Sequence, residues 1–298
     1  ISADVKNGEL HYANNWLPIK NIAANLEFFG IGMRIVSDSA NILKTQISNT
    51  SIEIPDFLTF DEQLLIKGNA NGETNEFLEF LKYGDLAKKI DNVIEKIKLK
   101  ATNNNATSDL KLDLKLPLRN FNNVKILGEV NIKNNNLQLL PNFLPIMKNV
   151  SANLTFTENS VYSDNIVGEL LEGKILSKLD ANSNKISIYN SGKVDFYKTL
   201  NTYFLVPNKI HNYLNVNSNL FRGNISFKDE LTIFNNVNSN VVNNNIYYNL
   251  VADLKEAEIL LPEYTSLNKK LNEDAKFHLV INNNFDNLLL ANFQKNNT

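Results

Sequence analysis

Three histidines, His11, His211 and His278, are the side chains best suited to ligate a metal or move a proton near neutral pH. They lie far apart, and none has a second His or a carboxylate at metal-ligand spacing, so the sequence offers no zinc site. Cysteine is absent, which removes thiolate ligands, disulfides and cysteine nucleophiles. The stretch "FGIGMR" from Phe29 has two glycines with one residue between them, but no third glycine and no strand-turn-helix after it. It reads as a turn between strands, not a dinucleotide loop. No Gly-x-Ser-x-Gly or Walker pattern occurs. The carboxylates of "KNGE" and "FDEQ" have no partner nearby in sequence. A glycosidase can bring two distant carboxylates together by folding, which spacing alone does not exclude. With no other catalytic signature, the expectation is a chain that is not an enzyme and needs no cofactor or metal.

The bulk properties narrow the classes further. The 298 residues carry a formal net charge of -2, so there is no electrostatic footprint for a nucleic-acid partner. With 43% hydrophobic residues, the chain can build one large core or two ordinary domains. No apolar run approaches the roughly 20 residues of a membrane helix. The start, "ISADVKNGEL", has neither a basic nor an apolar leader, which suggests an interior piece of something longer. Asparagine is abundant ("NNNATSD", "KNNNLQ", "VVNNNIYYN") and suits turns and solvent-facing positions.

The elements that would carry any function are mostly strands. In "LKLDLKLPL", Leu110, Leu112, Leu114, Leu116 and Leu118 fall on one face, and Lys111, Asp113, Lys115 and Pro117 on the other. In "VKILGEVNI", Val124, Ile126, Val130 and Ile132 alternate with Lys125, Glu129 and Asn131. "KISIY" from Lys185, "LNVNSNL" from Leu214 and "KFHLVI" from Lys276 alternate likewise. One apolar and one polar face per strand indicates a largely antiparallel sheet with a wet side, since parallel strands buried on both sides read as solid apolar runs. Helical spacing occurs in two places. Gly72 to Lys98 carries Phe77, Leu78, Leu81, Leu86, Ile90 and Ile94, with a break at Gly84. This predicts two short helices, capped from the Thr74-to-Phe77 region and from Asp85. The second place is Asp195 to Leu214, interrupted by Pro207.

A phrase occurs twice. "WLPIKNIAANLEF" begins at Trp16 and "FLPIMKNVSANLTF" at Phe143, an offset of 127 (143 − 16). After a one-residue insertion, Asn21, Ala24, Asn25, Leu26 and Phe28 match Asn149, Ala152, Asn153, Leu154 and Phe156. The preceding "ADVKNGELHY" and "GEVNIKNNNLQL" agree as strand, Asn-rich turn, strand, and a fainter third copy starts at "LVADLKEAEILLPEY". A repeat this long implies tandem β-modules. The expected division is 1–123, which includes the helices, and 124–298, with a partial third repeat from about residue 250. The aromatic at each Leu-Pro turn, Trp16 or Phe143, would plug the sheet at its bend.

Two short helices cannot cover this many apolar strand faces. Either a second sheet packs on the first, as in a sandwich, or the apolar face lines a groove for something greasy.

The ordered set "ADVKNGELHYANNWLPIKNIAANLEF", "LLIKGNANGETNEFLEFLKYG", "LKLDLKLPL", "ILGEVNIKNNNLQLLP" and "VSANLTFTENSVYSDNIVGELLEGKI" resembles AsmA-like proteins of the YhdP type. Trp16-Leu17-Pro18 has an extra Leu where that family usually has Trp-Pro, and Ala23 and Ser151 stand where Gly is common. The resemblance implies a long twisted β-groove in the periplasm of a Gram-negative envelope, tethered to the inner membrane by a helix outside this chain. It implies non-enzymatic passage of phospholipid between inner and outer membranes, in support of outer-membrane integrity. The partners would be phospholipid acyl chains, both membranes and neighbouring segments of the same longer protein. The groove lining would include Leu110, Leu112, Leu114, Leu116, Val124, Ile126, Val130 and Ile132. The competing expectation is a structural or adhesive all-β envelope protein with closed sandwich cores and no ligand. An outer-membrane barrel fits poorly, because the helical stretch and the short alternating runs do not make sustained lipid-facing strands.

Overall fold

The structure, a computed structural model, describes residues 1–83, 100–101, 106–119, 123–138, 146–202, 221–234, 246–260, 269–270, 275–282 and 288–295. These residues are mainly strand, with two short helices. The chain divides into two compact units, Ile1–Pro141 with Asn149–Val161, and Asn142–Lys148 with Tyr162–Thr298. The sequence-based boundary at residue 123 falls between two paired strands of the first unit.

The first unit is an antiparallel meander. Its strands are β1 (Ser2–Leu10), β2 (Ile19–Phe29), β3 (Gly32–Ile42), β4 (Thr45–Ile54) and β5 (Gln63–Glu73). Helix α1 (Thr74–Phe80) follows, then β6 (Lys100–Ala101), β7 (Thr107–Pro117) and β8 (Lys125–Gln138). Each of β1 to β4 pairs with the next, β5 pairs with β7, and β8 takes both β7 and β6. The strands β9 (Met147–Thr157) and β10 (Ser160–Leu170) come next in the chain. "FGIGMR" is indeed the β2–β3 turn, with Gly30 at φ 54°.

The second unit contains β11 (Gly173–Asn182), β12 (Lys185–Asp195), helix α2 (Phe196–Leu200), β13 (Phe221–Phe234), β14 (Ile246–Asp253) and β15 (Ala257–Ile259). Beyond them are β16 (Lys269–Lys270), β17 (Ala275–Asn282) and β18 (Leu288–Lys295). The antiparallel pairings run β11–β12–β13–β14–β17–β18, with β15 also on β13 and β16 on β15. Its core is Ile175, Val194, Phe196, Ile225, Phe227, Ala252, Leu254 and Ala257, gathered where α2 meets the sheet. The Phe196 and Phe221 rings meet edge to face at 5.7 Å.

Both helices begin inside the stretches whose apolar spacing predicts them. In α1 the N-cap is Glu73, whose side chain makes no capping bond. Thr74, expected as part of a cap, is instead buried and meets Ser108 Oγ at 2.8 Å through its hydroxyl. The helix is held from outside: Glu76 Oε2 accepts from Lys44 N–H at 2.7 Å and from the Thr45 hydroxyl at 3.2 Å. Tertiary contacts of this kind, not propensity, stabilise so short a helix. In α2 the cap is conventional, with Asp195 Oδ1 accepting from Lys198 N–H at 2.7 Å. Lys198 also forms an ion pair with Glu172. Residues 84–99, with the second predicted helix, and 203–220, with Pro207, His211 and the "LNVNSNL" strand, lie outside the described residues.

The repeat is written in the backbone as well as in the letters. Asn7 and Asn134, 127 apart (134 − 7), have φ of 55° and 51°. Asn21 and Asn149, 128 apart (149 − 21), have φ of 53° and 52°. Leu43 and Leu171, at hairpin turns 128 apart (171 − 43), have φ of 53° and 48°. Left-handed backbone is uncommon outside glycine, and Asn tolerates it better than most residues. Around Asn7 and Asn21 the β1–β2 and β2–β3 registers slip, so these asparagines sit at bulges. The third copy carries its break at the matching place, where 254–256 separate β14 from β15. The order of four strands, a short helix and a return strand also recurs, as β2 to β5 with α1 and β7, and as β9 to β12 with α2 and β13. Trp16 lies in the connection from β1 to β2, with its ring 5.6 Å from Phe80 of α1 and 5.9 Å from Tyr12. Burial among these rings raises the Tyr12 pKa. Phe143, in the matching connection from β8 to β9, lies outside the described residues.

Candidate functional site

The strands β7 and β8 place the predicted lining residues together. Leu110 pairs with Val130, Leu112 with Gly128 and Leu114 with Ile126, while Ser108 pairs with Ile132. Directly paired residues share a face, so these side chains form one strip, with Leu116 and Val124 in phase at its end. Lys111 pairs with Glu129 and Lys115 with Lys125 on the opposite face. That face also holds the Lys67–Asp113 and Lys133–Asp109 ion pairs, at 3.1 and 3.0 Å. The Lys133 hydrogen bond lowers the Asp109 pKa, assisted by the Asn71 amide.

The strip widens on the side of β5. Leu64, Ile66 and Ala70 pair with Leu116, Leu114 and Leu110. Ile52 and Ile47 of β4 continue the same face, then Ile35 and Ala40 of β3, then Leu26 of β2. At about 4.8 Å per strand, six strands give a surface about 24 Å across. Of the eight residues predicted to line a groove, only Ile132 is buried, at 8% exposure, and the other seven are half-buried. A closed sandwich would leave such residues almost without exposure.

Gly128 leaves a gap in the strip on β8, and Phe156 of β9 fills it. A Cβ at Gly128 would overlap the Phe156 ring. Phe156 belongs to the second copy of the repeated phrase, so one phrase supplies the side chain that covers a glycine in its own upstream strand. Glu158, in the turn after β9, anchors the same region. It accepts from Lys125 Nζ at 2.8 Å and from Ile126 N–H at 3.1 Å, which hold its pKa down to about 2.

The corresponding face of the second unit has a different middle. Ile175, Leu179, Ile186, Ile188, Val194, Ile225, Phe227, Leu231 and Ile233 occupy one face of β11, β12 and β13 by register. In phase with them are Ser177, Asn190 and Asp229, where Ser177 pairs with Asn190 and Asn190 with Asp229. Asn190 Nδ2 donates to Asp229 Oδ1 at 2.7 Å, and the Tyr248 hydroxyl of β14 donates to Oδ2 at 3.2 Å. Burial among apolar neighbours pushes the Asp229 pKa up to about 6, and these two hydrogen bonds, with a third from the Asn190 backbone, oppose the shift. Ser177 is 2% exposed, and its hydroxyl has no hydrogen-bond partner. Alternation within single strands does not single out this row. The signal was present: in "NISFKDELTIF", Asp229 is the polar residue in phase with Ile225, Phe227, Leu231 and Ile233.

Leu176, Lys178, Tyr189, Ser191 and Lys228, together with Asn190 and Asp229, border a surface cavity of about 230 Å³. That is below the size of ordinary small-molecule sites. His11 lies exposed against Glu9 at 3.1 Å, and no group of three potential metal ligands forms among the described residues. Nor is any helix among them long and apolar enough to cross a membrane.

Searches of curated proteins and of solved structures gave no match. A family model described as YhdP protein matches residues 1–298, and the chain belongs to that family. Membership makes it a cell-envelope protein.

Proposed function

We propose that this YhdP-family chain forms part of a non-enzymatic, lipid-conducting β-groove in the periplasm of a Gram-negative envelope, passing phospholipid between inner and outer membranes. The observation that carries the reading is the half-exposed apolar face of the first unit, six strands wide and in register from Leu26 to Ile132. Acyl chains laid on it leave water at a gain of about 0.8 kcal/mol per buried CH₂. Headgroups stay solvated, and the ion-paired outer face keeps the sheet soluble. No side chain has to attack or be attacked, so the work is done by surface alone. Passage along the face is then driven by differences in lipid content at its two ends.

The test is lipid extraction and native mass spectrometry of the purified chain, with Leu112→Asp and Ile126→Asp beside it. Co-purifying phospholipid that both variants lose while remaining folded supports the groove. A lipid-free wild type whose variants unfold supports the closed structural or adhesive alternative and removes the groove reading.

A further inference from the structure

We propose that the row Ser177, Asn190, Asp229 and Tyr248 binds a primary ammonium group carried by an amphiphile whose chains lie on the apolar face around it. The proposal rests on the groove reading above and adds a headgroup chemistry to it.

Ser177, Asn190 and Asp229 pair directly across β11, β12 and β13. Tyr248 of β14 reaches Asp229 from the neighbouring position, opposite Leu231, while Leu250 stands directly across from Asp229. The row is bounded on the same face by Ile175, Gly192 and Phe227 on one side and by Leu179, Ile188 and Leu231 on the other. No Lys, Arg or His stands in phase with it on β11, β12, β13 or β14, and Lys178 and Lys228 belong to the opposite face. Tyr248 is the only other titratable residue facing Asp229 among the described residues, and it acts as a donor. Asp229 therefore carries an uncompensated negative charge among apolar side chains at neutral pH.

The hydrogen-bonding inventory says what would compensate it. A carboxylate offers about four lone-pair directions. Asp229 receives the Asn190 side-chain amide, the Asn190 backbone N–H and the Tyr248 hydroxyl, which leaves about one acceptor direction open. The Ser177 hydroxyl, buried beside Asn190, is a further acceptor with no partner. A site with surplus acceptors, one negative charge and apolar walls fits a cation with N–H donors and an attached hydrocarbon. A primary ammonium has three such donors, whereas a quaternary ammonium has none and cannot satisfy the row. The equivalent place in the first unit, where Gly68 pairs with Leu112 and Leu112 with Gly128, has none of these groups. The headgroup would thus be recognised in one unit and not in the other.

The experiment incubates the whole chain at pH 8 with vesicles of equimolar phosphatidylethanolamine and phosphatidylcholine with identical acyl chains, then reads the bound lipid by native mass spectrometry. Wild type should carry phosphatidylethanolamine in about tenfold excess, the discrimination expected of one charge-assisted hydrogen-bonded contact. Asp229→Asn should bind the same total lipid with the preference abolished. Ser177→Ala, which leaves strand pairing intact, should reduce the preference and keeps the test open if Asp229→Asn misfolds. Lowering the pH below about 5 should erase the preference in wild type, because the protonated carboxyl no longer attracts the ammonium. Equal loading of the two lipids by wild type overturns this proposal and leaves the groove reading standing. Absence of any bound lipid overturns both.

Discussion

Leu112 and Asp229 occupy corresponding places in the two units. Each lies on a strand that follows a short helix, and each sits on the apolar face opposite a residue of the strand before that helix, Gly68 or Asn190. In the first unit the place is apolar, and Gly128 and Phe156 interlock beside it. In the second, a carboxylate takes hydrogen bonds from two neutral side chains. The same scaffold thus supports a continuous greasy surface and one crossed by a polar row. Sheet architecture is set by alternation and hydrogen-bonded register, which do not depend on which side chain fills one position. The character of the surface is set position by position.

The largest effect should come from moving the second unit's chemistry into the first. Leu112→Asp places a charge where no donor awaits it. On an open face the carboxylate reaches water, so the fold persists and lipid is lost. In a sealed core the cost is several kcal/mol against a total stability of ~5–15 kcal/mol, and the chain unfolds. Circular dichroism and lipid content of the one variant separate the two outcomes.

The reverse exchange, Asp229→Leu, should stabilise the protein and do so in a pH-dependent way. The folded pKa is raised from 3.8 to about 6, so the stabilising influence of the protonated form is complete below about 4 and is lost as pH rises through 6. Above that, the ionised group costs on the order of 2–3 kcal/mol. Urea denaturation should show the variant ahead by about that much at pH 8, with the gap closing by pH 4. A gap that does not change with pH would mean that Asp229 is solvated and the two faces are more alike than the geometry indicates.

A smaller effect tests the repeat itself. Asn7→Val and Asn134→Val each force a β-branched residue into left-handed backbone, at ~1–2 kcal/mol. Similar losses at both sites, each absent for the Gly variant, would establish them as the same bulge used twice. Unequal losses would make the shared φ a coincidence of local fit.

The smallest change should follow Glu158→Gln. This removes the charge that pairs with Lys125 but leaves a hydrogen-bonding side chain. With the folded pKa lowered to about 2, the stabilisation is present above the ordinary carboxylate range and fades as pH falls toward 2. The variant should melt slightly below wild type at pH 7 and together with it near pH 2.

How much of this was legible in the sequence depended on the length of the pattern. The strip on β7 and β8 could be read in advance because strict alternation over nine residues fixes a strand's face, and the seven residues from 118 to 124 make the next strand its natural partner. The tandem phrase announced the repeat, and the paired asparagines carried its geometry. The starts of the helices were legible too, since α1 and α2 open inside the two stretches with helical apolar spacing. What spacing does not encode is how the first turn of α1 is held, by the contacts of Thr74 and Glu76 with Ser108, Lys44 and Thr45. Asp229 was missed because one polar residue in an alternating strand looks like noise until register places Asn190 and Tyr248 beside it.

The meander has a consequence for the order in which the protein can form. Nearly every strand finds its partner within the next few dozen residues, and β1 through β5 each need only the strand just made. Hairpin closure takes about 1–10 μs, far less than the time in which a chain is delivered to its compartment. Folding can therefore keep pace with emergence from the N-terminal end, each new strand docking on an existing edge. A proteolytic cut within the second unit would then leave β1 to β5 assembled, since none of their pairings draws on that unit.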